Sequence, residues 1–227
     1  MTAASLRARL RAEMTDEIKA AARRHLATDG ANLSLRAVAR DLGMASSAVY
    51  RYFASRDELL TALIIDAYDA LGTAAENAPG DGSPVDRWLA VCHAVREWAL
   101  ANPHEWALVY GSPVPGYQAP KDTVEPAIRV ILALGRIVQD ASAAGQADSG
   151  EPISGRLGEE FAMVAERAAP GAPPQLVARS MAGWIHLCGA VSAELFGQLN
   201  NTIEERREFF DFQMRGALSW IGIKASS

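Results

Sequence analysis

Small and hydrogen-bonding side chains share one face of a short predicted helix near the N-terminus. The helix spans residues 45–53. That face carries Ser46, Ser47, Tyr50, Arg51 and Tyr52. Hydroxyl groups suit phosphate oxygens, and an arginine can donate to phosphate or to guanine O6 and N7. The pattern therefore predicts nucleic-acid binding, and the alternative is a solvated face with no partner.

Two further helices must position this one. The preceding helix has an apolar stripe between residues 37 and 42, with Ser34 as its candidate N-cap. Gly43 allows the positive φ at which a helix can end. A third helix starts near Asp57, and the buried positions of the middle helix are Ala48, Val49 and Phe53. Two helices joined by a glycine turn, the second with a polar face, are typical of helix-turn-helix proteins.

A longer pattern of residues surrounds these helices. It comprises Ser34-Leu35-Arg36, Ala39, Leu42-Gly43, Val49-Tyr50, Tyr52-Phe53 and Ser55-Arg56-Asp57-Glu58-Leu59. From about Asp16 to Leu63 the chain resembles the N-terminal domain of TetR-family transcriptional regulators. The family often has Ser or Thr where this chain has Ala45, so Ser46 is the alternative cap.

The resemblance implies roles for individual residues. Arg36, Ser46, Ser47 and Tyr50 match positions that commonly touch base edges or phosphates in the family. Tyr52 and Arg56 match positions that commonly hold the DNA backbone. The predicted DNA-binding set is Arg36, Ala45, Ser46, Ser47, Tyr50, Arg51, Tyr52 and Arg56.

A second resemblance lies nearer the C-terminus. Trp184-Ile185-His186-Leu187-Cys188-Gly189 resembles the Trp-x-His-x-x-Gly pattern of one class of TetR-family C-terminal domains. The segment from Asn102 to Pro113 is similar to that class as well, and the match covers about Trp88 to Trp220. It implies a ligand-binding and dimerisation domain.

Composition restricts the class of protein. The chain has 227 residues, of which 49% are hydrophobic, and no apolar run approaches the roughly 18 residues of a membrane span. The N-terminus lacks the apolar stretch of a secretory signal. Cys92 and Cys188 lie in apolar helical patterns without metal-ligand spacing. We therefore expect a cytoplasmic protein with buried thiols, no metal, no cofactor and no membrane partner.

Charge is distributed unevenly within a net charge of −5. Residues 1–60 contain 10 Lys and Arg against 7 Asp and Glu, whereas residues 61–227 contain 12 against 20. A basic N-terminal module on an acidic body suits a protein that meets phosphate with one end.

Helical spacing recurs along the chain and predicts an all-α fold. We expect a helix-turn-helix DNA-binding domain over residues 1–60 and a ligand-binding and dimerisation domain over residues 61–227. A first helix carries Leu6, Leu10, Met14, Ile18 and Ala22 at four-residue steps. Later helices are predicted over residues 57–71, 124–144, 175–199 and 202–223, the last opened by Thr202 and Glu205 in capping-box spacing.

The residues do not favour an enzyme. His25, His93, His104 and His186 are scattered, without a recognisable metal-binding or nucleophile motif. The remaining alternative to a regulator is an all-α carrier or enzyme in which the helix-turn-helix is inert.

The C-terminal domain offers two candidate surfaces. A pocket for an apolar or amphipathic small molecule is expected among Trp88, Trp98, Trp106, Tyr110, Met163, Trp184 and His186, each of which is equally consistent with ordinary core. The helix over residues 57–71 is expected to carry the ligand's effect to the DNA head. Homodimerisation is predicted through the last two helices, by Gly183, Gly189, Ala190, Gly197, Phe209, Phe210, Phe212, Met214, Leu218 and Trp220.

Overall fold

The computed structural model describes residues 3–29 and 33–224, which form eleven α-helices and one short 3-10 helix. These residues include no β-strand, only a single bridge between Ala147 and Ile223. The prediction of an all-α fold is therefore confirmed. Within the described ranges, none of the helices combines the length and apolar character needed to cross a bilayer.

The chain divides into two compact units. Unit 1 comprises Met1–Tyr68 and Asn102–Val124, and unit 2 comprises Asp69–Ala101 and Glu125–Ser227. The structure thus differs from the boundary predicted after residue 60, because residues 102–124 group with the N-terminal segment. The chain passes between the units three times, so the helix after residue 57 is not the only covalent connection.

Unit 1 contains the predicted helix-turn-helix. Its helices are α1 (Ala3–Asp29), α2 (Leu35–Asp41), α3 (Ser46–Val49), the first part of α4 (Arg56–Glu76) and α6 (Pro103–Tyr110). A core of buried side chains from α1, α2, α3 and α4 holds it together, including Ile18, Val38, Val49, Leu59 and Leu63. Leu6 and Leu10 are 44% and 53% exposed, because the first turns of α1 extend beyond that core.

Unit 2 is built from longer helices. They are α5 (Pro84–Ala101), α7 (Val124–Ala127), α8 (Arg129–Ala143), α9 (Gly155–Ala168), α10 (Pro174–Leu195) and α11 (Arg206–Ile221). The first residue of α7 still belongs to unit 1. Gly183 permits a close approach of α10 to its neighbours, since a Cβ there would lie 3.0 Å from the Trp88 ring and 2.7 Å from Ile221 Cδ1. Trp88 is fully buried at this crossing.

A buried ion pair joins α5 to α10. Arg96 donates two hydrogen bonds to the Glu194 carboxylate, at 2.7 and 2.6 Å, and both side chains are under 9% exposed. The Arg96 guanidinium also lies 5.5 Å from the centre of the Phe210 ring on α11. Because a buried charge is costly without its partner, this pair fixes which faces of three helices meet.

Several predicted helix boundaries are wrong. The helix predicted over residues 124–144 is interrupted at Ile128, and Ile131 and Leu132 within it are only half-buried. Helix α10 ends at Leu195, and α11 begins at Arg206. Thr202 forms no capping box, because its hydroxyl donates to the Asn200 carbonyl, 3.4 Å away, in the connecting turn.

Both cysteines lie in unit 2, and the prediction of a buried thiol holds fully for Cys92 and in part for Cys188. Cys92 is buried and Cys188 is half-buried. Burial raises the pKa of the Cys188 thiol to about 12 and also raises the pKa of Cys92. Both thiols therefore carry little thiolate at neutral pH, which makes them poor nucleophiles and poor metal ligands.

Candidate nucleic-acid interface

The turn between α2 and α3 has the hydrogen bonds of a Schellman motif. The Met44 N–H donates to the Ala39 carbonyl at 2.8 Å, and the Gly43 N–H donates to the Arg40 carbonyl at 3.1 Å. Gly43 has φ of 64°, the left-handed region in which glycine has no steric penalty. At the other end of α2, the Ser34 hydroxyl accepts from the Ala37 N–H, as predicted. The glycine turn thereby fixes the direction in which α3 leaves α2.

Helix α3 is shorter than predicted. Regular α-helix covers only Ser46–Val49, although turn hydrogen bonds continue to Phe53. Ala45 occupies the N-cap and supplies no side-chain hydrogen bond, while Ser46 is already the first helical residue. Val49 and Phe53 are 0% and 5% exposed, as predicted, so α3 is held mainly by its apolar side.

Arg11 on α1 braces the end of this element. Its guanidinium donates to the main-chain carbonyl of Arg51 at 3.0 Å and lies 5.0 Å from the centre of the Tyr52 ring. Tyr52 is half-buried against the unit 1 core. Arg11 was not identified from the sequence, since its partners lie 40 positions away. The one signal in the sequence is that Arg11, a basic residue, lies on the same side of the first helix as the apolar Met14 and Ile18.

The start of α4 is capped on both sides. The Ser55 hydroxyl accepts from the Glu58 N–H at 3.1 Å, and the Glu58 carboxylate accepts from the Ala54 N–H at 2.5 Å. Arg56, the first residue of α4, lies 3.6 Å from the Asp57 carboxylate. This cap fixes the first turn of α4 and, with it, the backbone position of Arg56.

A set of ion pairs ties α1 to α4 and α6 within unit 1. Asp66 accepts from Lys19 at 3.1 Å and from Arg23 at 2.7 Å, and Arg23 also donates to Glu105 at 2.8 Å. The Thr61 and Tyr117 hydroxyls are hydrogen-bonded at 2.9 Å. Residues 102–124 are thus part of the frame that supports the helix-turn-helix.

Most of the predicted DNA-binding side chains point outward. Arg36, Ala45, Ser47, Tyr50 and Arg51 are exposed, whereas Ser46, Tyr52 and Arg56 are half-buried. Among the described residues, the arginines whose side chains form no hydrogen bond or ion pair are Arg7, Arg36, Arg40, Arg51 and Arg136. All of these except Arg136 belong to unit 1. Unit 1 therefore carries four arginine side chains that form no hydrogen bond or ion pair with any described residue.

The predicted ligand-contacting residues are divided between the units. Trp106 and Tyr110 lie in unit 1, where their ring centres are 4.4 Å apart and Tyr110 meets Tyr68 edge-on. Trp88, Trp184 and His186 lie in unit 2, with His186 edge-on to Trp220. Met163 is 66% exposed on α9, so its expected place in an apolar interior wall is wrong.

Each unit has a cleft of its own. In unit 2, Trp184 lines a narrow cleft between α8, α9 and α10, about 300 Å³ including its open side, in which the Ser180 hydroxyl is the polar group among mainly apolar side chains. In unit 1, Ala107 and His104 line a cleft of about 760 Å³ beside the C-terminal end of α1, likewise including open space. Neither cleft is lined by the full predicted set.

Arg129, at the start of α8, binds the last turns of α4 within unit 2. It donates to Asp69, Thr73 and Glu76, with distances of 2.5–3.1 Å. These hydrogen bonds hold the pKa of the Glu76 carboxyl below its usual value. Gly72 leaves room for the arginine, because a Cβ there would lie 2.7 Å from Arg129 Cβ. Helix α8, one of the three helices that line the unit 2 cleft, is therefore fastened to the end of α4.

The fold and this surface define a helix-turn-helix DNA-binding protein, and comparison with known proteins identifies its family. Residues 18–63 match the family described as bacterial regulatory proteins, tetR family. Residues 88–217 match the tetracyclin repressor-like C-terminal domain. The chain belongs to the TetR family of transcriptional regulators, which is a non-enzyme family. Its assignment to the Trp-x-His-x-x-Gly class stays a prediction.

Individual relatives agree with the assignment to the TetR family. HTH-type transcriptional regulator Rv1816 of Mycobacterium tuberculosis is 40% identical over 201 residues, covering 85% of this chain and 86% of the relative. HTH-type transcriptional regulator Mb1846 of Mycobacterium bovis gives the same values. The crystal structure of regulatory protein SCO4313 is 34% identical, with a TM-score of 0.76, and covers 93% of this chain and 98% of that one.

The Gly43 turn can be tested by substitution. Gly43→Ala forces a Cβ into a left-handed conformation and should destabilise the protein by about 1 kcal/mol, although no neighbour blocks the methyl group. Because the turn aims α3, DNA affinity should fall as well. Gly116→Ala is the matched control, since Gly116 in unit 1 also has positive φ and open space but lies outside the turn. Denaturant unfolding and DNA titration should show both variants destabilised and only Gly43→Ala weakened in binding.

Proposed function

We propose that this protein is a homodimeric, ligand-responsive repressor that binds a near-palindromic operator through α3 and the residues around it. The observation that carries the proposal is a helix-turn-helix turn with exposed hydroxyls on α3, in a unit whose exposed arginines include several that form no hydrogen bond or ion pair with any described residue. Repression is the common outcome in the family. A DNA-binding regulator works where the DNA is, so we infer a cytoplasmic location.

The predicted DNA-binding residues divide by expected role. Tyr50 and Arg56 suit phosphate contacts, which fix register without reading sequence. Arg36 and Ser46 suit contacts to base edges. Ala45 and Ala48 can offer only methyl groups, so direct base readout should involve few positions. We therefore expect backbone contacts to supply much of the affinity.

Substitution separates these two roles. Tyr50→Ala or Arg56→Ala should weaken binding to all sequences, and Arg56→Ala should lower the salt slope by about 0.9 for each phosphate that it no longer neutralises. Arg36→Ala or Ser46→Ala should change base preference by roughly 1–3 kcal/mol at one position. Binding titrations over a range of salt concentrations and of operator variants measure both effects.

Arg136→Ala is the control for charge, because Arg136 is exposed and forms no hydrogen bond or ion pair with any described residue but belongs to unit 2. It should leave affinity and salt slope unchanged. If the four substitutions in unit 1 behave like Arg136→Ala, the recognition surface lies elsewhere.

The dimer proposal rests on an exposed apolar face of α10 and α11. Ile185, Phe212 and Trp220 are 65%, 72% and 40% exposed. Gly189 on α10 and Gly216 on α11 have open space beside them. Apolar side chains next to glycines suit close helix packing against a second copy, and two-fold symmetry would bring two heads to two half-sites about 34–36 Å apart or a multiple of that.

The structure narrows the set predicted for this surface. Gly183, Ala190, Phe210, Met214 and Leu218 are buried within unit 2, so they belong to the core of one chain. These side chains pack α10 and α11 against each other and against α5.

Charge placed on the exposed face should separate the subunits. Ile185→Glu and Phe212→Glu each put a carboxylate where burial against a second copy is expected, and should convert a dimer into monomers. Met163→Glu is the matched control, since Met163 is equally exposed on α9 of unit 2 and should leave the dimer intact. Analytical ultracentrifugation gives the mass, and a monomeric wild type would rule out the dimer.

The ligand site we propose is the cleft between α8, α9 and α10. Its apolar side chains and single buried hydroxyl fit a small apolar or amphipathic molecule. Because the cleft is narrow, a ligand must push its three helices apart, and Arg129 couples one of them, α8, to the last turns of α4. A ligand changes DNA affinity only by favouring one arrangement of these helices over another.

Filling the cleft tests this location. In a thermal-shift screen of apolar small molecules, a ligand of the wild type should raise Tm. Ser180→Met, which fills the cleft, should abolish that shift. Ala107→Trp should preserve the shift, because Ala107 lines the cleft of unit 1. If Ala107→Trp instead abolishes the shift and Ser180→Met preserves it, the ligand binds in the cleft of unit 1.

A further inference from the structure

The first turns of α1 lie beyond the core and beside the recognition element. Helix α1 begins at Ala3, and every described side chain from Ser5 to Glu13 is exposed. Arg11 anchors these turns to the end of α3, through its hydrogen bond to the Arg51 carbonyl and its contact with the Tyr52 ring. These turns therefore contribute no buried apolar side chain to the core of unit 1.

From this position we propose that α1 supplies a second DNA-contacting surface, in which Arg7 binds a phosphate next to the contacts of α3. The proposal rests on the proposed DNA-binding function and extends it to a helix outside the helix-turn-helix. Its occupant is duplex DNA, because the surface is basic and continuous with the proposed recognition surface.

The position of Arg7 around the helix supports this contact. At 3.6 residues per turn, Arg7 lies about 40° from Arg11 and about 20° from both Met14 and Ile18. Met14 packs against the unit 1 core, and Ile18 is fully buried in it. Arg7 therefore continues the side of α1 that faces the rest of the head, one turn beyond the anchor.

The distance along the helix is also suitable. Arg7 is four residues from Arg11, which is about 6 Å along the axis. Phosphates follow each other roughly every 3.4 Å of duplex axis on each strand. A strand held near Tyr52 and Arg56 would therefore present another phosphate within about two steps.

Charge is sorted around this part of α1. The three carboxylates Glu13, Asp16 and Glu17 all lie about 120–160° from Arg11, on the far side of the helix. Arg9 lies on that far side as well, about 160° from Arg11, and donates to Glu13 at 2.8 Å. Arg7 forms no hydrogen bond or ion pair with any described residue, so its charge is available to a partner.

Arg7 and Arg9 form a matched pair for the test. Arg7→Ala and Arg9→Ala remove the same charge two residues apart, on opposite sides of an exposed helix in which alanine is well tolerated. Full-length variants are titrated with two duplexes over a range of salt concentrations. One is the DNA upstream of the protein's own gene, and the other is an unrelated duplex of equal length.

We expect Arg7→Ala to weaken binding to both duplexes about tenfold or more and to lower the salt slope by about 0.9 for each phosphate left without its arginine. Arg9→Ala should leave the slope unchanged, and Arg7→Lys should restore it. The proposal is wrong if Arg7→Ala matches the wild type, or if both alanine variants lose the same amount. Absence of salt-dependent binding by the wild type would instead refute the proposed function itself.

Discussion

A helix of four residues cannot maintain itself in water, and the proposed recognition helix of this protein, α3, has that length. Ala45 gives it no side-chain cap, and its regular helix ends at Val49. Its geometry therefore depends on what packs against it, namely the burial of Val49 and Phe53 and the brace from Arg11. The rest of unit 1 is arranged to supply these contacts.

That dependence explains the ion pairs of unit 1. Asp66 and Glu105 bind Lys19 and Arg23, and so tie α1 to α4 and α6. Lys19 and Arg23 are thereby neutralised, whereas the side chains of Arg36 and Arg51 form no hydrogen bond or ion pair with any described residue. Within the described residues, internal pairing separates the arginines that hold the head together from those available to phosphate.

Unit 2 uses polar contacts for a different purpose. The Arg96–Glu194 pair is buried and specifies how α5, α10 and α11 meet, whereas Arg129 fastens α8 to the end of α4. The Arg96–Glu194 pair resists rearrangement because separating buried charges is costly. The contacts of Arg129 are partly exposed and can exchange with water at lower cost, which suits the ligand response that we propose.

The sequence by itself determined the all-α fold, the Ser34 cap, the Gly43 turn and the apolar side of α3, because these depend on neighbours within a few residues. Only the tertiary structure decided which exposed arginines are already paired, that residues 102–124 support the head, and that Met163 faces solvent. The contacts of Arg11 and Arg129 join residues 40–60 positions apart. Helical periodicity shows which residues share a face, but it does not show which other helix that face will meet.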